Sequence, residues 1–282
     1  AVYSGEIFDG KHTVSFEITV TVARRLYVKG MQIHLTVLKA EGEIHAAILY
    51  AAEPVLGESL RQKHIIWVRK ERSALVVFNG MEQTWKGCDM LIFMPGESAP
   101  LLYTKMSEAF PYKTAEEKPI AVCGKEILLK NKDCYTAAFT LGAACSSSAA
   151  QYIYSQYNTM DAVQRDAVQL TEEDEKLTGV FRLKSPVKAL DMLFNEWLPR
   201  QTLHARLNGR CGFYQSSGAY GFRDQLQDVL SMIYLKPETT AAQIYRCAAH
   251  QYLEGDVQHW WHEIKGDRPE SYHMGIRTRY SD

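Results

Sequence analysis

The sequence predicts a mixed α and β fold: an N-terminal antiparallel β-sandwich, a helical linker, and then a set of amphipathic helices. Two observations carry this. Apolar residues recur at every second position in the first half and at every third or fourth position from about residue 186. Turn pairs such as Asn79-Gly80, Lys86-Gly87 and Pro95-Gly96 punctuate the first half, with no long helical pattern between them. The expected organisation is a sandwich over 1–145, a linker over 146–185 and a helical region over 186–282.

The clearest strand is 13–22, where Val14, Phe16, Ile18, Val20 and Val22 face one way and Thr13, Ser15, Glu17, Thr19 and Thr21 the other. Gly30 interrupts, and Met31, Ile33, Leu35 and Val37 resume the alternation. Shorter runs at 44–50, 64–68, 74–78, 90–94, 119–123, 127–129 and 135–141 continue the series. Residues 149–176 are polar and helical in character, with Met160, Val163 and Ala167 on one side. The acidic run 172–175 reads as a solvated face.

Pro186 opens a stronger helix, whose stripe is Val187, Leu190, Leu193, Phe194 and Trp197. Pro199 is expected to kink or split it, because proline removes a backbone donor. Leu203 and Leu207 resume the stripe. A second helix over 223–235 is expected to bury Leu226, Val229, Leu230, Ile233 and Tyr234. A third begins at Pro237, with Ile244, Cys247 and Ala248 inward and Gly255 as its stop. Such helices suit a helical barrel or bundle.

Composition narrows the function classes. Hydrophobic residues at 46% are enough to bury a core, and a formal net charge of -1 gives no footprint for nucleic acid or an acidic membrane. No apolar run reaches the length of a membrane span, and no basic segment precedes an apolar one as in a signal peptide. The chain opens on Ala1 rather than Met, which leaves room for a segment upstream. Cys88, Cys123, Cys134, Cys145, Cys211 and Cys247 form no C-x-x-C pair, so a reducing, cytoplasmic compartment is expected and zinc is not. His259 and His262 are three apart, with only Glu263 close in sequence, which disfavours a metal.

The stretch 209–228 is the organising one. Gly209, Gly212, Gly218 and Gly221 hold a loop containing Phe213, Tyr214 and Tyr220, and Arg223-Asp224 stand where the loop becomes a helix. A planar fork beside a carboxylate suits a sugar, since arginine donates to hydroxyls and aspartate accepts from them. It equally suits a local ion pair at a helix start.

Ser216 to Asp228, with its Tyr-Gly-Phe-Arg-Asp-Gln core, resembles the signature of the glycoside phosphorylases of glycoside hydrolase family 94, formerly glycosyltransferase family 36. Two further blocks agree in order and spacing: Gln251 to His262, which includes Gln258-His259-Trp260-Trp261-His262, and Gly275 to Asp282. The likeness is specific from about residue 185. No arginine stands just before Phe222-Arg223-Asp224, and the 257–261 stretch is Val-Gln-His-Trp-Trp. In both respects the chain resembles the β-1,2-oligoglucan phosphorylases and the phosphorylase-like region of cyclic β-1,2-glucan synthases.

The resemblance implies an N-terminal β-sandwich followed by an (α/α)6 barrel, of which this chain holds the first helices. It implies inverting phosphorolysis of a β-linked gluco-oligosaccharide to α-glucose 1-phosphate. Inorganic phosphate is then the co-substrate, with no other cofactor and no metal. The expected partners are the oligosaccharide and a second copy in a homodimer, not nucleic acid or membrane. Arg223 and Asp224 align with the pair that holds the donor glucosyl residue. Gln215, Tyr220, His259, Trp260 and Arg277 are the other candidates for substrate binding. The family's catalytic acid belongs to an Asp-Trp-Asn-Asp stretch that these residues do not contain, so no catalytic residue is assigned here. The alternatives are a non-catalytic carbohydrate-binding fragment or degenerate homologue, and a hydrolase on the same scaffold.

Overall fold

In the computed structural model the strands described in the first half of the chain are all paired antiparallel. The structure describes residues 1–23, 26–54, 66–79, 89–110, 119–209, 219–261 and 277–279. Its strands are β1 (Val2–Phe8), β2 (Thr13–Val22), β3 (Val28–Lys39), β4 (Ile44–Ala52), β5 (Ile66–Glu71), β6 (Ala74–Asn79), β7 (Asp89–Phe93), β8 (Leu101–Lys105), β9 (Pro119–Leu129) and β10 (Cys134–Ala144). One short helix, α1 (Met106–Ala109), follows β8. Seven strands form a sheet in the order β1-β2-β3-β10-β7-β6-β5, and β4-β9-β8 form a second sheet.

The two sheets bury a common layer. Leu75, Val77 and Ile92 of the large sheet meet Ala121 and Cys123 of the small one, and all are at or near zero exposure. Burial pushes the Cys123 thiol up to about 12, as expected of a cysteine acting as a small hydrophobe. The opposite face of the large sheet, with Val76, Leu91 and Phe93, is covered by α2 (Ser147–Tyr157) and the start of α3 (Met160–Gly179). Ser146 caps α2 by accepting a hydrogen bond from the Ala149 amide.

Several expectations are corrected. Gly30 does not break the strand; β3 runs through it. A Cβ there would meet Val163 of α3 at 2.8 Å, so the glycine lets the helix approach the sheet. The runs 119–123 and 127–129 are one strand, β9, which continues through Gly124. The edge strand β1 and the short β8 were not anticipated. The turns at Asn79-Gly80 and Lys86-Gly87, and the start of the 64–68 run, lie outside the described residues.

The chain divides into two compact units, 1–170 and 171–282, and the division falls within α3. In the second unit, residues 188–208 wind without a break: α4 (Lys188–Met192), a π-helical segment (Leu193–Trp197), α5 (Leu198–Arg200) and a second π segment (Gln201–Asn208). Pro199 therefore does not split the helix. The wider π winding shifts the hydrogen-bond register on both sides of the position that lacks a donor. The predicted stripe is also not buried: Val187, Leu190, Leu193 and Trp197 are each about half exposed, while Pro199, Leu203 and Leu207 turn inward.

α6 (Phe222–Leu230) and α7 (Pro237–Ala248) complete the unit's helices. Leu203, Leu207, Val229 and Met232 gather with Leu177 into its core. Leu230, Ile233, Tyr234 and Ile244, expected inside, lie outside, and the inward positions go to Gln225, Thr240 and Gln243. Gly255 (φ +91°) makes a turn beyond α7 rather than ending it. Among the described residues, no helix is long and apolar enough to cross a membrane.

Candidate functional site

The short strands β11 (Tyr220–Gly221), β12 (Val257–Gln258), β13 (Trp260–Trp261) and β14 (Arg277–Thr278) form two small ribbons. β11 pairs with β13, placing Tyr220 opposite Trp261, and β12 pairs with β14, placing Gln258 opposite Arg277. The Phe222 amide donates to the His259 carbonyl at 3.0 Å, which extends the first ribbon into the start of α6. Three sequence blocks that lie far apart are thus pinned together by main-chain hydrogen bonds.

Trp261 anchors the junction. It is 1% exposed, stacked on Tyr220 at 5.5 Å and on His250 at 3.9 Å, with the edge of Phe222 at 6.5 Å. Its indole N–H is buried without an acceptor among the described residues. The ring of His250 is held by Gln258 through Nδ1. Arg246 lies over the Tyr220 ring at 5.0 Å.

A line of amides joins this cluster to the helices. Arg246 donates to Gln243 Oε1 at 2.7 Å, Gln243 Nε2 to Gln225 Oε1 at 2.9 Å, and Gln225 Nε2 to the Arg206 carbonyl at 3.2 Å. Arg206 in turn donates to both carboxylate oxygens of Asp228, at 3.1 and 3.0 Å. These bonds fix the azimuth of α6 about its axis. With Gly221 as its N-cap, Arg223 and Asp224 fall in its first turn, Arg223 exposed and Asp224 half-buried. A carboxylate there is favoured by the positive end of the helix dipole.

Arg277 is engaged elsewhere. It donates to Asp256 Oδ2 at 2.8 Å and Glu254 Oε2 at 2.9 Å, and its guanidinium lies 4.3 Å from the Tyr252 ring. Arg279 adds a 3.3 Å contact to Asp256. A separate open groove of about 710 Å³ runs along the 188–208 helix, between Asp191, Asn195, Trp197 and Gln201. On its rim Arg200 clasps Asp174 at 2.5 and 2.6 Å and Glu196 at 2.5 Å. That clasp holds the Asp174 carboxyl below the usual carboxylate range.

A sequence profile described as the glycosyl hydrolase 94 superfamily, catalytic domain, matches residues 174–282, the whole of the segment that builds these ribbons. That segment is similar to the catalytic domain of the glycosyl hydrolase 94 superfamily. The chain is also 47% identical over 105 residues to the cyclic β-(1,2)-glucan synthase NdvB of Rhizobium meliloti (strain 1021). The match spans 37% of this chain and 4% of that protein. Among solved structures, a kojibiose phosphorylase from the human microbiome superposes over 81% of this chain and 32% of its own, with a TM-score of 0.54 at 9% identity, a likeness of fold.

The family-derived candidates divide by position. Arg223, Asp224, His259 and Trp260 stand on the α6 start and the β13 ribbon, none of them fully buried. Tyr220 is 2% exposed, so its ring belongs to the packing beneath that ribbon. Arg277 is drawn into the Asp256–Glu254 cluster, and Gln215 lies outside the described residues. Gln225 stands within the first family block but was not a site candidate, and Gln243, Arg246 and His250 lie outside the family blocks. Glutamines at helical positions where an apolar residue would fit the stripe were the available signal.

Proposed function

We propose that residues 171–282 form the donor-sugar wall of a family 94 type enzyme that acts on a glycoside. The observation that carries this is the ribbon pair: β11 and β13 bring the second family block to the start of α6, and β12 and β14 tie the third block to the second. In this reading Asp224 accepts hydrogen bonds from hydroxyls of the terminal glucosyl residue and Arg223 donates to another. Each charge-assisted bond to a buried sugar contributes roughly 1.5–3 kcal/mol. Trp260 and His259 border the same ring, and Tyr220 with Trp261 holds the ribbon beneath it.

The finer proposal is inverting phosphorolysis of a β-linked gluco-oligosaccharide, with a β-1,2-glucan the favoured class. An acid protonates the leaving glycosidic oxygen while a phosphate oxygen attacks the anomeric carbon from the opposite face. The C–O bond breaks and α-glucose 1-phosphate forms. Phosphate is already an anionic nucleophile, so no second carboxylate is needed to activate water. The acid and the phosphate-holding groups are supplied by polypeptide other than these residues, which contain no Asp-Trp-Asn-Asp stretch.

That same absence favours a second reading, in which the wall binds sugar without turnover. Incubating the native-length protein with β-1,2-gluco-oligosaccharides, with and without inorganic phosphate, separates the two. Phosphate-dependent release of glucose 1-phosphate is expected. Hydrolysis to glucose without phosphate contradicts phosphorolysis, and saturable binding without any product supports the non-catalytic reading.

A further inference from the structure

The first turn of α6 is capped by Gly221, which has no side chain to fix it. Besides the ribbon bond to the Phe222 amide, α7 holds this turn. Cys247 Sγ donates to the Phe222 carbonyl at 3.8 Å, and Gln243 Nε2 donates to Gln225 Oε1 at 2.9 Å. Phe222 and Gln225 are three residues apart and share one helix face, so Arg223 and Asp224 stand on the opposite side. The amides are sealed from water: Gln225 is 0% exposed and Gln243 4%. What α7 grips on one face of α6 therefore sets where Arg223 and Asp224 stand on the other.

The line of amides has a direction, fixed at both ends. The Arg246 guanidinium only donates, so Gln243 must turn its carbonyl oxygen toward it. Gln243 Nε2 then faces Gln225, which must present Oε1. The Gln225 nitrogen is left for the Arg206 carbonyl, which only accepts. Reversing either amide would set oxygen against oxygen and nitrogen against nitrogen inside the fold, where unpaired polar groups are costly. Arg246 heads the line from the surface, and its guanidinium also lies over Tyr220, which pairs across the ribbon that carries Trp260.

We propose that Gln243 and Arg246 are positioning residues for the donor sugar, an inference that rests on the sugar reading above. Neither is assigned a contact with the sugar. They act through Gln225, holding the first turn of α6 at one azimuth so that Asp224 and Arg223 meet hydroxyls of the same ring. Cys247 has a lesser part, since a thiol is a weak donor. Replacing the head of the line by a side chain that cannot donate frees the Gln243 amide to turn. That turn passes to Gln225 and on to the start of α6.

The test is the initial rate of glucose 1-phosphate release by the native-length protein from a β-1,2-linked glucotriose and inorganic phosphate. Gln243→Met and Arg246→Met are each expected to lower kcat/KM about tenfold, with circular dichroism unchanged. Arg246→Lys, which keeps a donor, is expected to recover most of the loss. In an Asp224→Ala background, Gln243→Met should change kcat/KM by less than about threefold, because no carboxylate remains to misplace. If Gln243→Met does not fold, the same comparison is made with Arg246→Met. Normal kcat/KM in the folded variants overturns the proposal, as does an equal fold-loss with and without Asp224. A wild-type protein that neither binds nor cleaves the glucotriose sinks the sugar reading instead. Amide exchange across 220–226 then reads the line by itself: about tenfold faster exchange in the variants upholds it, and unchanged exchange overturns it.

Discussion

Gln225 has no exposed surface, and its amide spans two helices, accepting from Gln243 and donating to the Arg206 carbonyl. A satisfied polar chain can hold positions that an apolar pattern would otherwise take. Gln225→Leu leaves the Gln243 amide and the Arg206 carbonyl without their partner, so a loss of about 1–3 kcal/mol is expected in chemical denaturation. The adjacent tryptophans should separate in the same measurement. Trp261→Ala removes a ring packed on three others and is expected to cost about 3–5 kcal/mol. Trp260, only half-buried, should cost much less when replaced.

Charge gives a second expectation at this scale. Arg200 depresses the Asp174 carboxyl, so the pair stabilises the fold above the ordinary aspartate value of 3.8 and the contribution is lost as pH falls below it. Asp166, whose carboxyl is raised chiefly by burial, has the opposite sign: its protonated form is favoured by folding, so stability declines as pH rises through its folded value. Melting curves across the acid range should show Asp174→Asn flattening the loss at low pH. An unchanged profile in that variant contradicts the assignment.

At the scale of elements, what the sequence disclosed depended on how the element is buried. β2 was legible because one of its faces meets the core and the other meets water. β1 hides in Val-Tyr-Ser-Gly-Glu-Ile-Phe, since an edge strand with both faces largely exposed needs no alternation. The helices α6 and α7 were legible as helices, but their phase was misread. Pattern reading assigns apolar residues to the inside, whereas here Thr240, Gln243 and Gln225 are inside and Ile244, Leu230 and Tyr234 outside. The ribbons β11 to β14 are two residues each and carry no periodicity; only the family motifs hinted that their blocks belong together. Close packing sets a further expectation. A Cβ on Gly124 would fall 2.2 Å from the Ile48 carbonyl of β4, so Gly124→Ala should force β4 and β9 apart and lower the melting temperature by several degrees. An unchanged melting temperature contradicts that packing.

For the whole molecule, the pattern switch near residue 186 foretold strands before helices. The contact boundary at 170/171 lies inside α3, because the first turns of that helix pack on the sandwich. The second unit exposes Leu230, Tyr234, Tyr245 and Leu253 together with much of the 188–208 helix. Surface of this kind is covered in stable proteins, so the 282-residue chain alone should bind a hydrophobic dye and the native-length protein should bind far less per residue. Equal dye binding by both contradicts that expectation.

The central claim is that Arg223 and Asp224 grip one donor sugar. Initial rates of phosphate-dependent glucose 1-phosphate release by the native-length protein, compared with Arg223→Ala, Asp224→Ala and the double variant, test it most directly. Each single change is expected to lower the rate on the order of 100-fold, because a ring displaced by about 1 Å loses its productive geometry. The double variant should fall by less than the product, since both side chains hold the same ring. Circular dichroism should stay unchanged. Near-normal rates in both single variants, with folding intact, would contradict the claim and leave the pair as a cap on α6.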